Sequence, residues 1–162
     1  MYIPEHFAES RLDELHRIMR AHPLAMLCTS GPQGLDANHL PFLLDADSGP
    51  HGRLIGHVAR ANPLWQSVAP GSDVLVVFRG AEGYVSPNWY PSKHETHRAV
   101  PTWNYEVVHA HGTLTIHDDV KHVRSVVARL TLRGRGLALF LGDAEQVSPK
   151  PASLMIFALM VA

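Results

Sequence analysis

The segment from Thr102 to Ile116, TWNYEVVHAHGTLTI, most limits what this chain can fold into. Successive side chains of a strand point to opposite faces. Trp103, Tyr105, Val107, His109, His111 and Thr113 therefore share one face, and Thr102, Asn104, Glu106, Val108, Ala110 and Gly112 share the other. Neither face is cleanly apolar. Such a strand suits the wall of a cavity or a subunit contact better than a simple core, and a strand of this length needs a sizeable sheet around it.

The rest of the chain supplies that sheet. Leu24–Thr29 and Asp73–Phe78 are short apolar runs of the kind that form buried strands, and Arg53–Ala59 is a further strand. Gly31-Pro32-Gln33-Gly34 reads as the turn after the first run. Leu35–Leu44 reads as one strand with His39 and Pro41 in its middle, and a proline there points to a sheet edge or a bulge. The run EGYVS, Glu82–Ser86, is expected to start a separate strand before the proline-marked loop from Pro87 to Pro101. Helices are few. Leu12, Leu15 and Met19 recur at helical spacing within Ser10–Arg20, where Ser10 and Asp13 stand in the relation that caps a helix start. His22-Pro23 closes that helix. Asn62–Val68 predicts a short helix, and Asp118 is expected to cap a further one in which Val120, Val123, Val127 and Leu130 recur. Without β-α-β alternation, an antiparallel sheet or barrel is favoured over a parallel one.

A chain of 162 residues suits one domain, and residues 1–162 are read as one. Lys plus Arg is 14 and Asp plus Glu is 15, giving a net charge of −1. A general nucleic-acid binder carries a basic excess, and none is visible here. The single Cys28 fits a reducing compartment, and Met1–Phe7 lacks the pattern of a secretory signal. The cytoplasm is the expected location, with no membrane span.

Five stretches carry a resemblance: MYIPEHF, NHLPFLLD, GHVARANPLW, YVSPNWYPSK and VPTWNYEVVHAHG. In order and spacing they are similar to the PaiB-like family of FMN-binding negative transcriptional regulators, over roughly Met1 to Leu130. The resemblance implies a mainly β fold, a split antiparallel β-barrel of the flavin reductase and pyridoxamine phosphate oxidase type with peripheral helices. It also implies a homodimer with FMN at the subunit interface.

Within that frame the corner GHVARANPLW has a chemical reading. A phosphate dianion is met by a guanidinium, by hydroxyl or amide donors and by the start of a helix. Arg60 is the candidate cation, Asn62 the candidate donor and helix cap, and His57 stands beside them. Ser86 and Lys93 could extend the phosphate site. Trp89 and Tyr90 could wall an isoalloxazine ring, which needs flat apolar partners. Trp103 and Asn104 are secondary candidates for the same pocket. The plainer alternatives are a solvated arginine beside a helix cap, and a rigid loop whose aromatics pack on the barrel or on a partner subunit.

Twelve histidines invite a metal or haem reading. His109 and His111 share a strand face, and His94 and His97 bracket Glu95, but no H-E-x-x-H or Cys pair is present, and no metal site is expected. No catalytic residue is assigned. If the protein is an enzyme, an FMN-dependent oxidoreductase, the flavin carries the redox chemistry. The regulator label follows from the family resemblance, with DNA as a partner only weakly supported. A flavin-dependent oxidoreductase is the alternative, followed by a haem-binding barrel and a non-catalytic scaffold. From about residue 133 the sequence departs from the family, whose members continue with a polar helix, a final strand and a basic tail. The uncharged Ser153–Ala162 is either a final core strand or the product of a shifted reading frame.

Overall fold

The computed structural model describes residues 1–97 and 99–119, then Val123, Ser125, Val126 and Ala128, and the backbone of residues 154–161. Three α-helices and seven strands have defined bounds there. They are α1 (Leu12–Ala21), β1 (Leu24–Gly31), β2 (Gly34–Pro41), β3 (Leu43–Asp45), β4 (Arg53–Ala59), α2 (Leu64–Ser67), β5 (Asp73–Val85), α3 (Ser92–Thr96), β6 (Thr102–His117) and β7 (Leu154–Val161). The strands form one sheet in the order β2-β1-β5-β6-β7-β4-β3, and every pairing in it is antiparallel. The sheet curls enough for β2, at its edge, to approach the end of β4, where Asn62 Nδ2 donates to Asn38 Oδ1 at 3.0 Å.

Strict alternation builds the core. Ala25 and Leu27 of β1, Val74, Val76 and Phe78 of β5, and Val108, Ala110 and Leu114 of β6 point inward, where Leu54, Val58 and Leu64 join them. Helix α1 closes one side of this core through Ile18 and Met19. Its buried His16 donates from Nε2 to the His51 carbonyl at 2.9 Å, which ties the helix to the turn before β4. A second, smaller cluster joins Leu43 and Ile55 to Val123 and Val126, so the segment after β6 covers the other face of β4.

Several expectations are corrected. The helix expected from Ser10 starts at Leu12, and its N-cap, Arg11, offers no side-chain cap. Glu9 takes both the Arg11 backbone N–H at 2.7 Å and its guanidinium, which leaves Ser10 without the capping role. The strand expected over Leu35–Leu44 is two, broken at Phe42, whose N–H donates to the Pro23 carbonyl at 2.8 Å. Pro41 does lie on an edge strand, where its missing donor removes no ladder bond. The expected start of a new strand at Glu82 is the continuation of β5 through a bulge. Pairing steps from Arg79–Val107 to Glu82–Tyr105, so β5 carries one extra residue. Gly80 makes this possible, because a Cβ there would meet the Glu106 side chain at 2.7 Å. Val123, Ser125, Val126 and Ala128 are helical, as expected for the segment after Asp118, whose carboxylate engages Arg60. Val120, Val127 and Leu130 lie outside the described residues.

The apolar end of the chain forms a strand, Leu154–Val161. β7 inserts between β4 and β6, with Ala59 opposite Leu154 and His117 opposite Ile156.

The outer face of the sheet is unusual. Met26, Val77 and His109 lie in register across β1, β5 and β6, as do Cys28, Leu75 and His111. All but the exposed His111 are half-buried, and the face runs on to the exposed Tyr84, Trp103 and Tyr105.

Candidate functional site

The corner after β4 is held by its own backbone and side chains. The Asn62 N–H donates to the Ala59 carbonyl at 2.8 Å, and Asn62 Oδ1 accepts the Leu64 N–H at 2.9 Å. Trp65 Nε1 donates to the Arg60 carbonyl at 3.0 Å. Asn62 thus caps the turn with its oxygen and grips β2 with its nitrogen. Helix α2 has only four residues, too few to contribute a helix dipole of consequence, so the burden of meeting an anion falls on side chains.

Arg60 is the principal such side chain. Its two terminal nitrogens meet the two oxygens of Asp118, one at 3.2 Å and the other in a shorter contact. The pair is partly open to solvent. The Asp118 bond raises the Arg60 pKa above its ordinary value, and Arg60 holds the Asp118 carboxyl below its own. A guanidinium at this corner therefore already engages an anion in a fork-to-fork arrangement, the geometry a phosphate uses. His57 is three residues upstream. Burial pushes its pKa down, and its buried Nδ1 makes no hydrogen bond among the described residues. An unpartnered buried nitrogen next to a cationic corner fits a polar ligand.

The remaining candidates form a second group beside the β5–β6 arm. Ser86 Oγ accepts the Asn88 N–H at 3.3 Å and caps the turn over Pro87–Trp89. Lys93 Nζ donates to Asn88 Oδ1. Ser86 and Lys93 are thereby engaged in ordering their own loop. Trp89 and Tyr90 project into solvent. Trp103 packs across the strands on Tyr84, ring centroids 6.2 Å apart, and donates from Nε1 to Glu82 at 3.3 Å. Asn104 is exposed opposite Gly83. Val77, Arg79, Glu82, Trp103, Tyr105 and Val107 line an open concavity of about 370 Å³ here.

The structure therefore places Arg60 and Asn62 in one turn, with His57 three residues upstream on β4, and Ser86, Trp89, Tyr90, Lys93, Trp103 and Asn104 around the end of the β5–β6 arm. Sequence reasoning missed Asn38, Trp65 and Asp118 as parts of the corner. Asn38 and Trp65 belong to two of the family-like stretches, whereas Asp118 carried no signal beyond its capping chemistry. Among the described residues no cluster of three or more His, Cys, Asp or Glu side chains is placed to hold a metal ion, and no helix is long and apolar enough to cross a membrane.

The fold defines a split-barrel protein. The structure is similar to that of the FAD- and haem-binding protein from Mycobacterium smegmatis, with a TM-score of 0.65 and 19% identity over 96% of this chain and 68% of that one. It is also similar to the flavocytochrome Anf3 from Azotobacter vinelandii, with a TM-score of 0.63 and 16% identity over 99% and 69% of the two chains. At such identities the likeness concerns the fold alone. Residues 1–136 match the family described as "Putative FMN-binding domain", and the chain belongs to that family, the PaiB-like split barrels. It is 33% identical over 151 residues to the uncharacterized protein YKL070W of Saccharomyces cerevisiae, covering 81% of this chain and 88% of that one. It is 33% identical over 112 residues to the protease synthase and sporulation protein PAI 2 of Bacillus subtilis. That match covers 69% of this chain and about half, 51%, of the Bacillus protein.

Proposed function

We propose that this chain binds FMN, with the phosphate at the Arg60 corner, and acts as a homodimeric cytoplasmic regulator of the PaiB-like type, all 162 residues forming one domain. The observation that carries the phosphate reading is the Arg60 guanidinium, held at a pinned turn and already gripping both oxygens of an anion. Arg60 would bind the phosphate, Asn62 would keep the turn in shape and offer its second N–H, and His57 would offer its Nδ1. A bound flavin would supply electron-transfer chemistry. Trp89, Tyr90, Trp103 and Asn104 would shield the ring from water, and Ser86 and Lys93 would hold the loop that carries the first two.

A homodimer is supported by the outer face of β1, β5 and β6. Half-buried Met26, Leu75 and Val77 beside exposed Trp103 and Tyr105 make an apolar surface with an aromatic margin, the composition of a subunit contact. Such a pairing would also let the aromatic group of one subunit approach the Arg60 corner of the other. Sedimentation at micromolar concentration is expected to give a dimer. A folded monomer there would remove this part of the reading.

The ligand reading is tested by titration of the purified protein with FMN and with riboflavin. FMN is expected to bind roughly ten- to a hundredfold more tightly, the contribution of one or two charge-assisted hydrogen bonds to its phosphate. Equal affinities would reject the phosphate site. The regulator label rests on family resemblance. DNA contact from a chain of net charge −1 would have to gather scattered cations across a dimer, giving weak retention that falls steeply with salt. The concavity beside Trp103 and Tyr105 favours a flavin-dependent oxidoreductase as the second reading, because a planar co-substrate would fit against those rings. Rapid NAD(P)H oxidation with added FMN and no DNA retention would choose it.

A further inference from the structure

We propose that Asp118 is a built-in anion that opposes the flavin phosphate at Arg60, so that the corner selects ligands able to outcompete a carboxylate. This inference rests on the reading of Arg60 as the phosphate cation.

The contact is a product of the sheet rather than of local sequence. Arg60 and Asp118 are 58 positions apart. β4 and β6 both run antiparallel to β7, so they run parallel to each other and end on the same side of the molecule. Ala59, at the end of β4, is opposite Leu154, and His117, at the end of β6, is opposite Ile156. With one strand between them the two ends are about 10 Å apart, twice the usual strand spacing. The next residue after each end is Arg60 and Asp118, and their side chains close that gap. Insertion of β7 therefore sets the distance at which the cation meets its internal anion.

The chemistry then follows from charge. The end-on edge of the guanidinium is occupied by the carboxylate. A ligand oxygen that takes this edge must displace Asp118, and one that approaches beside it lies within a few ångströms of the carboxylate's negative charge. In both cases the carboxylate opposes the incoming anion. A phosphate monoester, with up to two charges and three acceptor oxygens, overcomes this opposition better than a single carboxylate does. A neutral hydroxyl carries no charge for the carboxylate to oppose. Asp118 thus raises the threshold that any anion must pass to occupy the corner.

The test compares FMN and riboflavin binding to the wild-type protein, Asp118→Asn, Arg60→Ala and the double variant at low ionic strength. Asn keeps one acceptor oxygen for Arg60, removes the charge and puts an amide donor in place of the second oxygen, and at a half-exposed position the fold should be retained. Asp118→Ala provides a second variant, with circular dichroism as the check on both. D118N is expected to bind FMN about two- to fivefold more tightly, the range set by exposed ion pairs, with riboflavin unchanged. The gain should vanish in the R60A background and shrink at high salt. If R60A separates FMN from riboflavin but D118N leaves FMN affinity unchanged or weaker, Asp118 positions Arg60 and the proposal is overturned while the phosphate reading stands. If R60A weakens both ligands equally, the phosphate reading fails and takes the proposal with it.

Discussion

Replacing Arg60 by Ala is expected to weaken FMN binding roughly ten- to a hundredfold and to change riboflavin binding about twofold at most. The two ligands differ only at the tail, so the ratio of their losses isolates the phosphate contact from any general damage. Arg60 suits this test because its side chain is partly open, while its backbone carbonyl, which receives Trp65 Nε1, survives the substitution. Arg60→Lys should recover only part of the affinity, since an ammonium is a point charge without the two-pronged geometry. Titration followed by flavin fluorescence reads both ratios. A matched loss for FMN and riboflavin would mean that Arg60 supports the corner's shape rather than the phosphate.

Phe78→Ala is expected to destabilise the fold by about 3–5 kcal/mol, the usual cost of removing a fully buried aromatic side chain. Phe78 has no exposed surface and meets Phe42 edge-on, with ring centroids 6.1 Å apart. It lies in the middle of β5, whose inward side chains face the α1 contacts Ile18 and Met19, so the cavity left behind touches several elements at once. Against a typical total stability of about 5–15 kcal/mol, this single loss should leave the protein marginal. Urea unfolding should show a lower midpoint with an unchanged slope. A loss below about 1 kcal/mol would show that the core collapses around the gap.

Both predictions draw on features whose legibility in the sequence differs. Phe78 ends an apolar run that could be read as a buried strand, because alternation of burial along a strand is a local property. β4 was readable over Arg53–Ala59 for the same reason, and so was nearly all of β6. The edge position of β2 was announced by Pro41, whose missing N–H restricts where a strand can sit. The Arg60 corner was legible as a cluster of residue types in a turn, helped by its match to a family-like stretch.

Other features depend on residues far apart in the chain. Continuity of β5 through the bulge at Gly80 needed Glu106, on the neighbouring strand, to fill the space a side chain would take and to accept the Ala81 N–H at 3.4 Å. The break at Phe42 needed the Pro23 carbonyl. The apolar Ser153–Ala162 announced a strand, yet nothing local says that it enters between β4 and β6 rather than at an edge. That placement in turn decides which ionised groups meet. Strand propensity and turn chemistry act over a few residues and were determined by the sequence alone. Strand order and the Arg60–Asp118 pair were decided only when tertiary pairing satisfied the backbone donors and acceptors of distant segments, because those groups must find partners across the sheet and local sequence does not specify which.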